Sequence, residues 1–95
     1  MYAAIRTYET VDAGEVTRRA NRGFVPILRG TPGFIAYYIV DGGDGTLASI
    51  SVFEDQTGAE ESTRRAAEWV ADNLAELVTT APVVLAGEVT VEARR

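Results

Sequence analysis

The sequence predicts an α+β domain whose elements run β-α-β-β-α-β along the chain. Three observations support this order: four apolar segments of strand length, two segments with apolar residues at helical spacing, and a dense turn over Gly42–Gly45. The chain has 95 residues, and no linker, repeat or low-complexity tract divides it. We therefore expect residues 1–95 to form a single domain.

The first half begins with a strand and continues into an interrupted helix. The strand is predicted over Tyr2–Glu9 from its apolar and aromatic content. Asp12 then begins a helix, since its carboxylate can accept a hydrogen bond from the amide of Glu15. Gly23 and Pro26 interrupt this helix, because proline lacks an amide hydrogen and its ring clashes with the preceding turn. We expect a kink or a second short turn there.

Two central strands form a hairpin across the glycine-rich turn. Phe34–Asp41 is apolar nearly throughout, which predicts a strand covered on both faces, and Thr46–Glu54 is the returning strand. Strict alternation along the first of these strands places Phe34 and Tyr38 on one face and Tyr37 on the other.

The second half adds a long helix and a last strand. The helix is predicted from a cap at Asp55 to about Val78, with Trp69 and Asn73 four residues apart on its inward stripe. The last strand is predicted over Val83–Glu92. This order gives the ferredoxin-like fold, a four-stranded antiparallel sheet with both helices on one face. The other face would expose large apolar residues, so we expect a second copy of the chain to cover it.

Composition excludes several classes of function. The chain has no Cys and no His, which rules out structural zinc, iron–sulfur clusters, His-ligated haem and catalytic triads built on either residue. The net charge of −5 opposes nucleic-acid binding, because neutralising phosphates requires a basic surface. No apolar stretch is long enough to span a membrane and no secretory signal is recognisable, so a cytoplasmic location is expected.

Several motifs resemble those of the dimeric α/β-barrel superfamily: Pro32-Gly33-Phe34 before a tyrosine-bearing strand, the glycine-rich hairpin, Ser51-Val52-Phe53-Glu54-Asp55, and a helix carrying Trp69. Within it, the chain is most similar to the small antibiotic-biosynthesis-monooxygenase-like (ABM-like) domains. The resemblance implies a homodimer, with a cavity between helices and sheet for a small hydrophobic or aromatic ligand. It also implies cofactor-free oxygenation, whereas the haem-degrading members rely on a histidine that this chain lacks.

The resemblance assigns a catalytic role to Trp69 and Asn73. Cofactor-free oxygenases of this type have a Trp and an Asn on the second helix, although here Asn73 follows Trp69 instead of preceding it. The indole would stack on a flat substrate and the amide would orient a carbonyl or phenolate. The alternative is that Trp69 packs in the core, as buried tryptophans on a helix stripe usually do.

Other candidates lie on the strands and the first helix. Tyr37 and Tyr38 must point to opposite faces, so only one can donate a hydrogen bond to an oxyanion in the cavity. We count Tyr38 with the catalytic candidates, and Tyr37 and Phe24 with the substrate-binding ones; packing in the core or dimer interface is the alternative.

Arg6 is the arginine of the first predicted strand, and two interpretations of it remain open. It either pairs across strands with a carboxylate such as Glu88 or Glu92, or it binds an anionic ligand as part of the substrate-binding set. The arginines of segment 18–22 are typical of a solvent-exposed helix face.

Two functions are compatible with these features. One is a small-molecule enzyme or binder of the cofactor-free oxygenase type. The other is a non-enzymatic dimer, such as a scaffold, ligand carrier or stress-related module, with a packed interior. A cavity of roughly 300 Å³ or more beside Trp69 would favour the first, whereas a filled interior would argue against an enzyme.

Overall fold

The computed structural model describes residues 1–95 and contains a four-stranded antiparallel sheet with its helices packed on one face. The elements are β1 (Tyr2–Glu9), α1 (Ala13–Arg19), a π-helical turn (Ala20–Phe24), α2 (Val25–Arg29), β2 (Phe34–Gly43), β3 (Thr46–Phe53), α3 (Gln56–Asn73) and β4 (Val83–Glu88). The strand order β2-β3-β1-β4 is that of the ferredoxin-like fold. The predicted fold class is therefore confirmed.

The interruption predicted near Pro26 takes the form of the π-helical turn. This turn directly precedes α2, in which Pro26 occupies the first turn. Proline has no amide hydrogen, so it cannot donate to the carbonyl four residues earlier. The helix turn just before it is wider, with hydrogen bonds between residues five apart instead of four. Both ends of the turn, Ala20 and Phe24, are buried against the sheet.

Helix α3 is shorter than predicted, because it ends at Asn73 and not at about Val78. Leu74 leaves the helical conformation, with φ of −127°. The amides of Leu77 and Val78 then bond back to the carbonyl of Leu74. These apolar residues still pack into the core, so the inward-facing apolar stripe continues past the end of the observed helix.

Strand β4 is also shorter than predicted, ending at Glu88 instead of Glu92. Its partner is β1, and Tyr2 lies opposite Glu88 in the ladder. Only Met1 precedes Tyr2 in the chain, and its carbonyl accepts one last hydrogen bond from the amide of Val89. The strand therefore ends where its partner begins.

A β-bulge in β2 makes the predicted face of Phe34 wrong. The pairing with β3 shifts between Phe34 and Ala36, which leaves Ile35 as an extra residue. The bulge keeps Phe34 on the helix side, where its ring packs edge-to-face on that of Phe53 with centroids 5.7 Å apart. Strict alternation had placed it with Tyr38 on the opposite face.

The sheet face away from the helices is apolar and carries no helix, and we call it the open sheet face. C-terminal residues 92–95 border it at one end, where they line a cleft with Ala36, Tyr38 and Val52. One row of mutually opposed residues crosses all four strands: Tyr38, Ile50, Ile5 and Leu85. Tyr38 is 58% exposed and Leu85 69%. The rows on either side are uncharged and consist of Ala36, Val52, Ala3, Gly87, Val40, Ala48, Thr7 and Val83. A single chain thus leaves β2 covered on one face only.

On the other face the core forms two apolar clusters, one around Phe24 and Phe53 and one around Leu47 and Leu74. The indole of Trp69 packs against both clusters. None of the helices combines the length and the apolar character that crossing a lipid bilayer requires.

Candidate functional site

A narrow cavity lies between the sheet and the helices at the junction of the two clusters. Most of its lining is apolar or aromatic: Tyr8, Val16, Ala20, Phe24, Tyr37, Ile39, Leu47, Ala66, Trp69, Val70, Leu74 and Val78, with Arg6 and Ser49 as the remaining members. The cavity has a volume of only about 30 Å³. That is room for about one or two waters, far below the size of an ordinary ligand pocket.

An aromatic cluster forms one wall of the cavity. The ring of Phe24 lies edge-on to that of Tyr37, with centroids 5.7 Å apart, and at 5.6 Å from the indole of Trp69. The fold thus brings together three of the predicted site residues, one each from the π-helical turn, β2 and α3.

Trp69 separates the cavity from a cleft on the outer surface. Its indole lines both spaces, and the outer cleft has a volume of about 340 Å³. The other residues of this cleft are mostly polar: Glu15, Arg18, Arg19, Arg22, Gly23 and Asn73. Arg18 and Arg19 are ion-paired, whereas the exposed Arg22 makes no ion pair.

Asn73 and Tyr38 lie outside the cavity. Asn73 is the last residue of α3, faces the outer cleft, and donates a hydrogen bond from its amide to the backbone carbonyl of Trp69 at 3.0 Å. Tyr38 stands on the open sheet face, on the opposite side of the sheet. Of the two neighbouring tyrosines, Tyr37 is the one that reaches the cavity.

Arg6 is buried to 1% exposure and is held by hydroxyl groups. Its Nε donates to Ser49 Oγ at 3.1 Å and its Nη2 to Ser51 Oγ at 2.6 Å, both on β3. Its Nη1 donates to Thr63 Oγ1 at 3.0 Å and to Ser62 Oγ at 3.5 Å, both on α3. The guanidinium therefore joins the sheet to the helix through neutral partners.

The predicted cross-strand ion pair of Arg6 does not form. None of the ion pairs in the structure includes Arg6. Glu88 lies opposite Tyr2, four residues along β1, and Glu92 lies beyond the end of β4, where it pairs with Arg94. The early end of β4 thus removes Glu92 as a partner, and the register of β4 on β1 keeps Glu88 away from Arg6.

The two phenols in the cavity stay protonated at neutral pH. Burial raises the pKa of Tyr8 and of Tyr37 above the ordinary tyrosine value, and the charge of nearby Arg6 opposes that rise. The lining contains no carboxylate, and the chain contains no histidine. The cavity therefore offers hydrogen-bond donors and no side-chain base that works at neutral pH.

Metal-binding side chains do not converge in this fold. No group of three Asp or Glu residues is placed to hold an ion. The cavity lining offers only hydroxyl oxygens beside a positive charge, which is a poor donor set for a cation. That the site works without a cofactor remains a prediction.

Sequence reasoning missed the hydroxyl groups around Arg6 and the place of Tyr8 in the lining. The pattern of β3 did contain a signal, because Ser49 and Ser51 lie between Leu47 and Phe53 on the helix-facing side of the strand. Two serines on a buried face require polar partners, and Arg6 stands directly opposite Ser49. The hydroxyls supplied by α3 had no comparable signal in the sequence.

No profile of a known protein family matches this sequence, and no curated protein resembles it in sequence. Its fold is that of several solved structures. A protein of unknown function from Nitrosomonas europaea has 18% identity and a TM-score of 0.77, with 99% of this chain and 93% of that one covered. The monooxygenase ActVA-Orf6 of Streptomyces coelicolor, solved with nanaomycin D, has 16% identity and a TM-score of 0.76, with coverage of 99% and 91%.

A third similar structure is SnoaB, a cofactor-independent oxygenase from Streptomyces nogalater. It has 11% identity and a TM-score of 0.75, and the match covers 99% of this chain and 97% of that one. At such identities the likeness establishes a shared fold, which is the fold that the resemblance to ABM-like domains implied.

Proposed function

We propose that this protein is a small-molecule enzyme or binder of the cofactor-independent oxygenase type, which takes a flat aromatic ligand beside Trp69. The observation that carries this proposal is the position of the indole, which is the wall between an apolar cavity and a surface cleft. Similar folds in two Streptomyces oxygenases support it.

Movement of Trp69 is the step that would admit a ligand. The indole is only partly buried and borders solvent on the cleft side. Its rotation outward would join the cavity to a cleft of about 340 Å³, a volume within the range of small-molecule pockets. A ring in the enlarged space would stack between the indole and the aromatic side chains of Phe24 and Tyr37.

The reaction of this type uses the substrate as its own electron source. A methylene group between aryl rings that are conjugated to a carbonyl loses one proton to water and becomes a carbanion, which gives an electron pair to dioxygen and forms a C–O bond; the second hydrogen leaves with the water that is lost later. Protonation of the peroxide and loss of water leave a carbonyl at that carbon. One oxygen atom enters the substrate, the other leaves as water, and the substrate supplies all four electrons.

The protein would contribute orientation, exclusion of water and hydrogen bonds to the developing oxyanion. The apolar lining excludes bulk water once Trp69 closes over the ligand. Tyr37 would donate to the oxyanion, because its phenol is protonated at neutral pH and faces the cavity. Asn73 would act at the cleft, where a ligand enters.

A homodimer over the open sheet face forms part of this proposal. The rows that make up this face contain no charged residue on any of the four strands, and their largest members are solvent-exposed in a single chain. An identical face on a second copy is apolar in the same way, so the two can bury one another with the charged Glu92, Arg94 and Arg95, which border the face beside Tyr38, at the rim of the interface.

The alternative function is a non-enzymatic dimer with a packed interior. The present width of the cavity favours it, since about 30 Å³ holds no organic molecule. Under this alternative Trp69 is a core residue, and its position beside the cleft has no consequence for ligands.

Oxygen consumption with an anthrone distinguishes the two functions. Dithranol has a C–H group of the required acidity, and we expect one dioxygen to be consumed for each anthraquinone formed, above the spontaneous rate and in the presence of a metal chelator. Quenching of Trp69, the single tryptophan, should report binding, and Trp69→Phe should slow turnover severalfold. A rate equal to the spontaneous one, with unchanged Trp69 emission, would leave the packed dimer as the function.

A further inference from the structure

The interior of this protein contains a full positive charge and no negative charge to balance it. Arg6 is 1% exposed, and a guanidinium keeps its proton inside a protein. Arg6 makes no ion pair with a carboxylate, and no carboxylate lines the cavity that it borders. Burial of an unpaired charge is strongly unfavourable, so a negative charge brought close to Arg6 would stabilise the fold.

The hydrogen bonds of Arg6 fix its position without cancelling its charge. Its Nε donates to Ser49, its Nη1 to Ser62 and Thr63, and its Nη2 to Ser51. Nη2 carries a second N–H group, for which these hydroxyls provide no acceptor. Neutral hydroxyl dipoles offset only part of a full charge. The guanidinium is therefore held between the sheet and α3 with its charge still available to a ligand.

The cavity beside Arg6 has the size of a very small ligand. Its volume of about 30 Å³ corresponds to about one or two water molecules, and a chloride ion is only slightly larger than a water molecule. Most of the lining is apolar, and apolar walls screen a charge weakly, which strengthens the attraction between Arg6 and an anion. A monatomic anion fits this space without any movement of Trp69, which an organic ligand would require.

Two phenol hydroxyls beside the guanidinium supply further donors. Burial raises the pKa of Tyr8 and of Tyr37, and the charge and hydrogen bonding of Arg6 oppose that rise, so both hydroxyls lie close to the guanidinium. Both phenols therefore keep their hydrogens at neutral pH. A phenol can accept a hydrogen bond from the guanidinium and still donate its own hydrogen. An anion in the cavity would meet a fixed positive charge together with two O–H donors.

We infer that this cavity binds a single halide ion, physiologically chloride, held between the guanidinium of Arg6 and the hydroxyl groups of Tyr8 and Tyr37. Chloride accepts hydrogen bonds from any direction. It also loses its hydration more readily than the smaller fluoride or the doubly charged sulfate, which suits it to a small and mostly apolar site. The ion is a counterion for Arg6 and stabilises the folded state. This inference goes beyond the proposed function and holds equally for a dimer with a packed interior.

The chloride dependence of stability tests the inference on the unaltered protein. Sodium chloride replaces sodium gluconate at constant ionic strength and protein concentration, and urea unfolding is followed by the emission of Trp69. One ion bound only by the folded state should raise the folded-to-unfolded ratio, approaching about tenfold for each tenfold rise in chloride. Gluconate is too large for the cavity and serves as the inert anion. A total change of less than about twofold would overturn the inference.

Bromide locates the ion, because it fits a chloride site and scatters X-rays anomalously, whereas water does not. In crystals soaked with sodium bromide we expect an anomalous peak beside Nη2 of Arg6, within hydrogen-bonding distance of the hydroxyls of Tyr8 and Tyr37. Peaks confined to surface arginines such as Arg22 would overturn the inference. A peak beside Arg6 without chloride-dependent stability would mean binding at crystal concentration only, which also overturns it.

Tyr37→Phe and Tyr38→Phe form a matched pair, because the two residues are neighbours on β2 and only Tyr37 lines the cavity. Tyr37→Phe should weaken chloride binding by about tenfold through loss of a hydrogen bond to a charged group, and Tyr38→Phe should leave it unchanged. Arg6→Met should abolish the chloride dependence, whereas Arg29→Met, which removes an exposed and unpaired arginine, should keep it. If Arg6→Met does not fold, the tyrosine pair decides. Equal chloride dependence in both tyrosine variants would place the ion elsewhere and overturn the inference.

Discussion

Gly23 lies directly against the indole of Trp69: a methyl group at Gly23 would come within 3.1 Å of Cζ2 and 3.2 Å of Nε1. Contacts this short require the ring to give way by a few tenths of an ångström. The π-helical turn thus presents bare backbone to the residue that separates cavity from cleft. The size of the residue at position 23 therefore sets the position of the indole.

Gly23→Ala should destabilise the protein by about 1 kcal/mol, because displacing the indole in a packed site outweighs the gain in helix propensity. Trp69 emission should shift as the ring moves. Gly14→Ala is the control, since a methyl group there meets only Asp12 Oδ1 at 3.7 Å, and it should stabilise by about 0.5–1 kcal/mol. Urea unfolding measures both changes. Equal stabilisation by the two substitutions would show that the indole is not constrained by Gly23.

Tyr37→Phe and Tyr38→Phe remove the same hydroxyl group from opposite faces of one strand. We expect Tyr37→Phe to lower kcat for dithranol oxidation by about tenfold or more, through loss of one oxyanion donor. Tyr38→Phe should stay within about twofold of the unaltered protein. Steady-state kinetics on both variants test this. A larger effect at Tyr38 would return that residue to the catalytic set and place the active site on the open sheet face.

Alkaline pH should destabilise the fold through its buried phenols. Burial raises the pKa of Tyr8 and Tyr37 in the folded protein, so the folded state keeps these protons more tightly than the unfolded state. The stability that this contributes is fully present below the unfolded tyrosine pKa of about 10 and is lost as the pH rises through the folded value. Urea midpoints measured across this interval should fall less steeply for Tyr37→Phe. If the urea midpoints of the two proteins fall in parallel with pH, the pKa of Tyr37 is not raised in the folded protein.

Ser51→Ala should destabilise the protein by about 1–3 kcal/mol, because it leaves a donor of buried Arg6 without its acceptor. The bond removed is the shortest of those to the guanidinium, at 2.6 Å from Nη2. Thr57→Ala deletes an exposed hydroxyl from α3 and should change stability by less than about 0.5 kcal/mol. Chemical denaturation gives both values. A Ser51→Ala variant as stable as the control would mean that water replaces the lost hydroxyl.

Leu85→Glu should convert a dimer to a monomer. Leu85 lies in the row that crosses the open sheet face, and an unpaired carboxylate buried there would weaken association about a hundredfold or more. Val11→Glu is the control, because Val11 is even more exposed than Leu85 but lies in the segment before α1. Sedimentation velocity at micromolar concentration distinguishes the species. A monomeric unaltered protein would remove the homodimer from the proposal.

Much of the fold was predictable because its determinants are local. Asp12 and Asp55 cap their helices as expected, with bonds of 3.0 Å to the amides of Glu15 and Gly58. The hairpin forms at the dense turn as predicted, although β2 runs two residues beyond its predicted end at Asp41, so that Asp44 and Gly45 alone join it to β3; positive φ occurs at Gly43, Asp44 and Gly45. Capping and turn formation depend on a few adjacent residues, so the sequence specifies them directly.

The errors arose where distant pairing decides the outcome. The bulge at Ile35 is determined by how β2 pairs with β3. The end of β4 is determined by where its partner β1 begins. The apolar stripe of α3 continues to Val78 although the helix has ended, so periodicity alone overestimates its length. The surroundings of Arg6 combine residues more than forty positions apart, which no local pattern reveals.

The π-helical turn also bears on how this fold can change through insertions and deletions. Such a turn contains one residue more than an α-helix would use over the same distance, so it absorbs an inserted residue that would otherwise rotate the rest of the helix by about 100°. Removing a residue such as Asn21 would therefore regularise the helix and keep Val16, on the cavity wall, in phase with Phe24. A length change of one codon at this turn thus alters the backbone beside Trp69 while the sheet, α3 and the Arg6 contacts stay in place.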